Sequence, residues 1–216
     1  MDTARRQVLD AAWEVFKKRG YATTTLDDIA RASAIPRRLI DAHFADKDEL
    51  FYAIAEDASG MMESSASELI TAAISDITAN IQGYMSIILS YRDDFRAYRA
   101  LVQEIRVTAS PAFRERINAN DSIFSRELAH MLKGLAQRAL IKECDYEAAS
   151  VAIIDAYAAL ISYRDASGEF LPSWRVRDML QSLLYGGIMH PTLIPALGLK
   201  LKKGKRPQRQ GEGDGL

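Results

Sequence analysis

The sequence lacks the residues and patterns that several classes of protein require. Its only cysteine, Cys144, excludes an intrachain disulfide and a cysteine-based zinc cluster, which fits a reducing compartment. No apolar stretch approaches the roughly 20 residues that a membrane-spanning helix needs. The first residues also lack the apolar segment of a signal peptide. We therefore expect a cytoplasmic protein with no membrane partner.

Motifs typical of enzymes are missing as well. The sequence contains no nucleophile elbow, no phosphate-binding loop and no dinucleotide-binding fingerprint. A single Glu-x-x-His, at Glu127 and His130, has no second copy of the kind that carboxylate-bridged di-iron bundles use. These observations predict a protein that is not an enzyme and has no cofactor and no metal site.

The overall charge favours no anionic partner. The 216 residues carry a formal net charge of -1, with 48% hydrophobic and 26% charged residues, which is globular composition. Binding to nucleic acid therefore has to be argued from the local placement of basic side chains.

Apolar residues recur at steps of three and four along most of the chain, and no alternating strand pattern is visible. The fold class is therefore all-α, with a small N-terminal helical domain and a larger C-terminal one. We expect domains at 1–46 and 47–199, followed by a disordered basic tail at 200–216. The predicted helices cover 3–19, two short segments between residues 25 and 44, one from 47 to 65 or beyond, 76–91, 94–107, 111–140, 145–166 and 173–189.

The two short helices have the features of a helix-turn-helix unit. Thr25 and Asp28 are spaced as a capping box, and Pro36 suits the first turn of the next helix. The second short helix is expected to turn Leu39, Ile40 and Phe44 inward. Such an arrangement presents the remaining side chains of that helix to the major groove of DNA.

Guanidinium groups match guanine and phosphate oxygens, and hydroxyl groups at helix starts can hold phosphates. The alternative is a solvated charged face, because acidic residues are as frequent here as basic ones. The candidate DNA-binding residues are Thr24, Thr25, Pro36, Arg37, Arg38, Asp41, His43 and Lys47.

The segments "VLDAAWEVFKKRGY", "TTTLDDIARASAI" and "HFADKDEL" resemble the DNA-binding domain of the tetracycline-repressor (TetR) family of transcriptional regulators. Three positions depart from the family pattern. Ala34 stands where the family usually has Gly, Pro36 where it has Ser or Thr, and Asp41 where it has Tyr. The alanine suggests a turn without an unusual backbone angle.

Asp41 has three possible roles in this comparison. Its carboxylate could accept a hydrogen bond from cytosine N4, which we favour, or it could repel nearby phosphates. It could also form an intrahelical ion pair with Arg37 or Arg38.

The resemblance implies a homodimer that binds a palindromic double-stranded DNA operator, most often as a repressor, and responds to a small, largely apolar effector. The alternative is a small-molecule-binding helical bundle that has lost DNA binding. The candidate ligand-binding residues are Met61, Tyr84, Ile88, Tyr91, Leu101, Ile105, Phe124 and Met131. Small residues on the last two helices would form the dimer interface, at Ala149, Ala152, Ala156, Ala159, Ser182 and Gly186.

Overall fold

The computed structural model describes residues 3–71 and 77–187, and for 61–71, 77–82, 84 and 184–187 it describes only the backbone. Within these ranges the chain is helical, and the only β-type pairing is an isolated bridge between Arg164 and Phe170. The predicted all-α class is confirmed. The helices are α1 (Thr3–Arg19), α2 (Leu26–Ser33), α3 (Arg37–Asp41), α4 (Lys47–Thr71), α5 (Ile77–Ser90), α6 (Arg92–Thr108), α7 (Pro111–Gln137), α8 (Tyr146–Ser162) and α9 (Ser173–Gly187).

Several helix ends follow from local sequence chemistry. α1 ends at Gly20, whose φ of 82° is easily reached only without a Cβ atom. α7 begins with Ser110, whose hydroxyl accepts the N–H of Phe113, and with Pro111 in the first turn. α8 begins at Asp145, whose carboxylate accepts the N–H of Ala148.

Two helices end earlier than their sequence pattern indicates. α7 stops at Gln137 because Ala139 takes a left-handed backbone conformation with φ 57°, a position where glycine is the usual signal. α8 stops at Ser162, and the following turn is closed by the carboxylate of Asp165, which accepts the N–H groups of Ser167 and Glu169. Neither helix has glycine or proline directly after its last residue, and the positive-φ glycine of the turn after α8, Gly168, lies six positions beyond Ser162.

The largest hydrophobic core joins the N-terminal helices to the larger bundle. Phe16, Ile29 and Ile40 from α1, α2 and α3 pack in the same cluster as Phe51 of α4 and Ile117 of α7, and all five are fully buried. This core includes residues from both sides of residue 46, so packing is continuous across the predicted domain boundary there. The predicted tail at 200–216 lies outside the described residues.

Two smaller clusters complete the bundle. One lies at the end of α7 and contains Met131, Leu135 and Ile141. The other joins α5 to α8 and α9 through Met85, Tyr157 and other apolar side chains. The described side chains of the bundle thus fall into three separate apolar clusters.

Candidate functional site

The predicted capping box at the start of α2 is present. The Thr25 hydroxyl accepts the N–H of Asp28 at 3.2 Å, and the Asp28 carboxylate accepts the N–H and the hydroxyl of Thr25 at 3.1 and 2.7 Å. These hydrogen bonds, with an ion pair to Arg19, lower the pKa of Asp28 to about 2. The first turn of α2 is thus held in place from both sides.

The turn between α2 and α3 contains an unusual backbone angle. Ala34 adopts the left-handed conformation, with φ 55° and ψ 20°. The expectation that alanine here avoids such an angle was wrong, because the helix C-terminus imposes the geometry whether or not glycine supplies it. The turn therefore has the shape that the glycine of the family pattern favours, at the cost of some strain.

α3 presents a short exposed face. Ile40 and Phe44 are buried as predicted, whereas Leu39 is 41% exposed and lies on the outer face with Arg37 and Arg38. The prediction that Leu39 packs inward was wrong. In a helix of five residues only one turn faces the core, and Ile40 with Phe44 fills it.

The charged residues of α3 differ in whether they have partners. Arg37 donates to Asp41 at 2.8 Å and to Asp27 of α2 at 2.6 Å. The observed contact of Asp41 is therefore the intrahelical pair, and not the free carboxylate that base reading would use. Arg38 is exposed and forms no ion pair or side-chain hydrogen bond with any described residue.

The remaining predicted DNA contacts lie at the edge of this face. Thr25 and Pro36 are exposed, and His43 is half-buried beside the ring of Phe44. Thr24 is buried, and its hydroxyl donates to the carbonyl of Gly20 at 2.7 Å, so its side chain is removed from the candidate phosphate contacts.

The ammonium group of Lys47 contacts the loop between α1 and α2. Its ammonium group donates to the carbonyl of Tyr21 at 2.9 Å and to that of Ala22 at 3.3 Å, and it lies 4.4 Å from the centre of the Tyr21 ring. These contacts attach the start of α4 to the loop between α1 and α2. An ammonium has three donors, so Lys47 can hold this loop and still offer one donor outward.

A feature that sequence reasoning missed attaches α6 to the N-terminal helices. The Glu104 carboxylate accepts the backbone N–H groups of Tyr21 and Ala22 at 2.8 and 2.9 Å. At the other end of α6, Asp94 accepts from the indole of Trp13 and the ammonium of Lys17, at 2.9 and 3.0 Å. Partners about eighty positions apart leave no local spacing signal, so no sequence pattern could have revealed them.

The predicted ligand-binding residues do not line one cavity. Leu101, Ile105 and Phe124 belong to the largest core, Met131 to the cluster at the end of α7, and Ile88 packs on the α5–α8–α9 cluster. Tyr91 is 48% exposed, and the side chains of Met61 and Tyr84 lie outside the described residues. Their role in ligand binding stays a prediction, because periodicity identifies the buried face of a helix but not the core against which it packs.

A cleft of about 210 Å³ lies between α6, α7 and α8. Phe124 is the only predicted ligand residue in its wall. Arg99 bridges two acidic side chains there, Asp155 at 3.2 Å and Asp121 at 3.5 Å. The wall is formed by Phe95, Arg99, Asn118, Asp121, Ser122, Phe124, Ser125, Val151, Ile154 and Asp155.

The predicted dimer residues are placed unevenly. Ala152, Ala159 and Ser182 are exposed, Ala149 and Ala156 are half-buried, and the side-chain position of Gly186 lies outside the described residues. Ala152 and Ala159 are seven positions apart and therefore share one face of α8. Large apolar side chains are also exposed on or beside α8 and α9: Val151, Tyr163, Trp174, Met179 and Leu183.

Two other properties concern only the described part of the chain. None of its helices is both long enough and apolar enough to cross a membrane. Its histidine, cysteine and acidic side chains form no group of three or more that could hold a metal ion.

A capped helix, a left-handed turn and a short second helix on one core form a helix-turn-helix, the class of unit that places its second helix in the major groove. The sequence comparisons agree with this class. Residues 8–54 match the model of the bacterial regulatory proteins of the tetR family. The HTH-type transcriptional regulator YhgD of Bacillus subtilis is 27% identical over 158 residues, 73% of this chain and 82% of that protein.

Solved structures share the fold over most of the chain. SmeT, the repressor of the Stenotrophomonas maltophilia multidrug efflux pump SmeDEF, superposes with a TM-score of 0.64 at 18% identity, over 87% of this chain and 91% of that one. AibR, in complex with isovaleryl coenzyme A and operator DNA, gives 0.60 at 18% identity, over 82% and 96%. Residues 8–54 thus match the DNA-binding part of tetR-family regulators, and most of the chain shares the fold of the solved structures of SmeT and AibR.

Proposed function

We propose that this protein is a cytoplasmic, ligand-responsive repressor that binds a palindromic operator as a homodimer. The observation that carries the proposal is the outer face of α3, where Arg38 is exposed and without a partner among the described residues. The repressor SmeT shares the fold, which supports repression as the direction of control.

On DNA, the residues of α3 would make different kinds of contact, according to their side-chain chemistry. Arg38 offers the guanidinium fork that matches guanine O6 and N7, and Leu39 offers an apolar contact for the thymine methyl group. Arg37 can exchange its exposed carboxylate partners for phosphate at little cost, because exposed ion pairs are weak. Thr25, Pro36, His43 and Lys47 stay in the proposal as contacts at the edge of the face, and Asp41 as the residue that orients Arg37.

The α8 and α9 surface supports the homodimer. Met179 and Leu183 are 42% and 57% exposed and lie four positions apart on α9. Exposed apolar groups of this size gain stability when they are buried against a second copy. Ala152, Ala159 and Ser182 on the same pair of helices would allow the close approach that helix packing requires.

Control by an effector would pass through α6. Phe95 and Arg99 of α6 line the cleft, while Asp94 and Glu104 attach the same helix to α1 and to the loop after it. A molecule that shifts α6 would therefore shift the N-terminal helices and change the separation of the two α3 helices in the dimer. AibR is complexed with both an acyl coenzyme A and operator DNA, which supports such coupling within this fold.

The competing function is a small-molecule-binding bundle that no longer binds DNA. A free carboxylate at Asp41 would favour this alternative, because it would repel the phosphates of DNA. Its ion pair with Arg37 cancels much of that repulsion.

Selection of bound duplexes from a random DNA pool, followed by gel shift with the enriched sequence, separates the two functions. Recovery of an inverted repeat with half-sites about one helical turn apart, roughly 34–36 Å, is the expected result. A pool that shows no enrichment over several rounds would favour the competing function.

A further inference from the structure

Two neighbouring arginines near the start of α1 differ in their partners. Arg6 donates to Asp10 at 2.9 Å and to Asp57 of α4 at 3.0 Å, so its charge is balanced within the protein. Arg5 forms no ion pair or side-chain hydrogen bond with any described residue. The first turn of α1 contains no acidic residue, and the residues three and four positions beyond Arg5 are apolar. Arg5 is therefore a cation that its own helix leaves unbalanced.

The Arg5 side chain lies at the C-terminal end of α3. Its guanidinium carbon is 5.4 Å from the centre of the Phe44 ring, and Phe44 comes three positions after Asp41, the last residue of α3. Phe44 is 3% exposed, whereas Arg5 is half-buried. A guanidinium that stacks on an aromatic face keeps its N–H donors at its edges. The contact with Phe44 therefore holds a cation beside α3 and leaves its donors available to another group.

Arg5 gives α3 positive charge at both of its ends. Arg37 and Arg38 form the N-terminal end of the helix, and Arg5 is attached to the C-terminal end through Phe44. A helix of five residues is about 7.5 Å long, whereas the major groove of DNA is about 12 Å wide. A helix this short in the groove has phosphates of the backbone close to its ends.

The position of Arg5 selects a phosphate and not a base edge as its partner. A reading helix contacts base edges with its N-terminal residues, and Arg5 lies at the opposite end of α3. In the homeodomain, another three-helix DNA-binding unit, the C-terminal end of the reading helix contacts the backbone. A guanidinium also matches two phosphate oxygens at once, through two parallel N–H donors.

We propose that Arg5 is a further DNA-contact residue, which binds a backbone phosphate of the operator beside the C-terminal end of α3. This assignment rests on the proposed DNA-binding function and adds to the α3 face a contact from a different helix. Phe44 is the positioning residue for this contact, because its ring holds the guanidinium in place. A phosphate contact carries no base preference, so Arg5 strengthens binding to operator and to random DNA alike.

Arg5→Gln removes the charge and keeps an apolar stem over Phe44. Fluorescence anisotropy of the full chain with the enriched operator, and with a random duplex of the same length, measures the effect. Affinity for both duplexes should fall by about tenfold, because a hydrogen-bonded charge contact is lost. The slope of log K against log salt should become shallower by about 0.9 for each subunit bound.

Arg6→Gln is the matched control, because it removes the same charge one position later in α1. Since Asp10 and Asp57 hold Arg6 within the protein, both affinities and the salt slope should stay close to those of the wild type. Arg5 lies near the end of an exposed helical turn, so Arg5→Gln should also fold as the wild type does, which urea denaturation checks.

A methylphosphonate scan of the operator locates the contact, because this group replaces one charged phosphate by a neutral one. One position in each half-site should weaken binding by the wild type and have no further effect on Arg5→Gln. Unchanged affinity and salt slope for Arg5→Gln would overturn the proposal and leave Arg5 only as a cover for Phe44. A loss confined to the operator would also overturn it, because a phosphate contact does not distinguish sequences. Wild-type protein that binds neither duplex would contradict the proposed function itself, so the two failures are distinguishable.

Discussion

The α2–α3 face, which carries Arg37, and the α8–α9 face, which carries Met179 and Leu183, are both exposed. They differ in that the first is charged and the second is apolar. On the first, Arg37 lies between Asp27 and Asp41, so most of the charge is balanced within one chain. On the second, Met179 and Leu183 are apolar groups that the described residues leave 42% and 57% exposed.

The difference indicates which contact is temporary and which is permanent. Exposed ion pairs contribute little, so the first face can exchange them for phosphate and regain them on release. Apolar groups gain about 25 cal/mol for each Å² buried, so the second face should stay covered by a partner in every state. We therefore expect this protein to be dimeric before it binds its operator.

The largest effect is expected when a charged side chain is placed on the apolar α8–α9 face. Leu183→Arg should give monomers in light scattering, because a buried unpaired cation at the interface has no compensating group. Operator affinity should fall on the order of 100-fold, since the second half-site is no longer held by the first.

Val107→Arg is the matched control, because Val107 is 83% exposed and lies on α6. It should leave both the dimer and the DNA affinity unchanged. A Leu183→Arg protein that remains dimeric would show that the subunits meet elsewhere.

The second change removes the contact that ties the DNA-binding helices to α6. Glu104→Ala leaves the N–H groups of Tyr21 and Ala22 without their acceptor, which should lower the free energy of unfolding by about 2–3 kcal/mol. Urea denaturation measures this loss. Glu115→Ala, at an exposed position of α7, is the control and should cost little. A similar small loss for both variants would mean that the Glu104 contact contributes little to stability.

A substitution in the left-handed turn between α2 and α3 should raise the stability of the protein and not lower it. Ala34→Gly relieves the strain of a positive φ but adds freedom to the unfolded chain, for a net gain of about 0.5–1 kcal/mol. Ala32→Gly, at an exposed position in the last turn of α2, should instead destabilise the protein. Thermal denaturation of the pair distinguishes them, and destabilisation by both would contradict the strained turn.

The smallest expected effect concerns Asp41. Asp41→Asn removes one partner of Arg37 while Asp27 keeps the other, so the affinity for operator and for random DNA should change less than about threefold. Fluorescence anisotropy with both duplexes measures this. If affinity falls only for the operator, and the preference at one base pair weakens, Asp41 reads cytosine.

Local chemistry made much of the fold predictable. The capping box at Thr25 and Asp28, the glycine that ends α1 and the buried positions of Ile40 and Phe44 all follow from spacing within a few residues. The ends of α7 and α8 were misplaced because alanine at 139 occupies a glycine position and because α8 ends at Ser162, several residues before the turn that Asp165 and Gly168 form.

The candidate sites were predicted less well, for a different physical reason. Leu39 has the apolar side chain of a core residue, and it is exposed because α3 is short. The contact of Glu104 with Tyr21 and that of Ser59 with Asn120 each join residues that are far apart in sequence, where periodicity carries no information. The ligand residues stay a prediction, since burial alone does not tell one core from another.

The measurement that tests the central claim most directly is the salt dependence of DNA binding by wild-type protein and by Arg38→Ala. If α3 reads DNA, log K for the selected operator should fall steeply with log salt, by about 0.9 for each phosphate neutralised. Arg38→Ala should cost roughly 1–3 kcal/mol on the operator and much less on random DNA. An equal loss of affinity for both duplexes would mean that Arg38 contacts only phosphate. Wild-type binding that does not depend on salt would contradict the account.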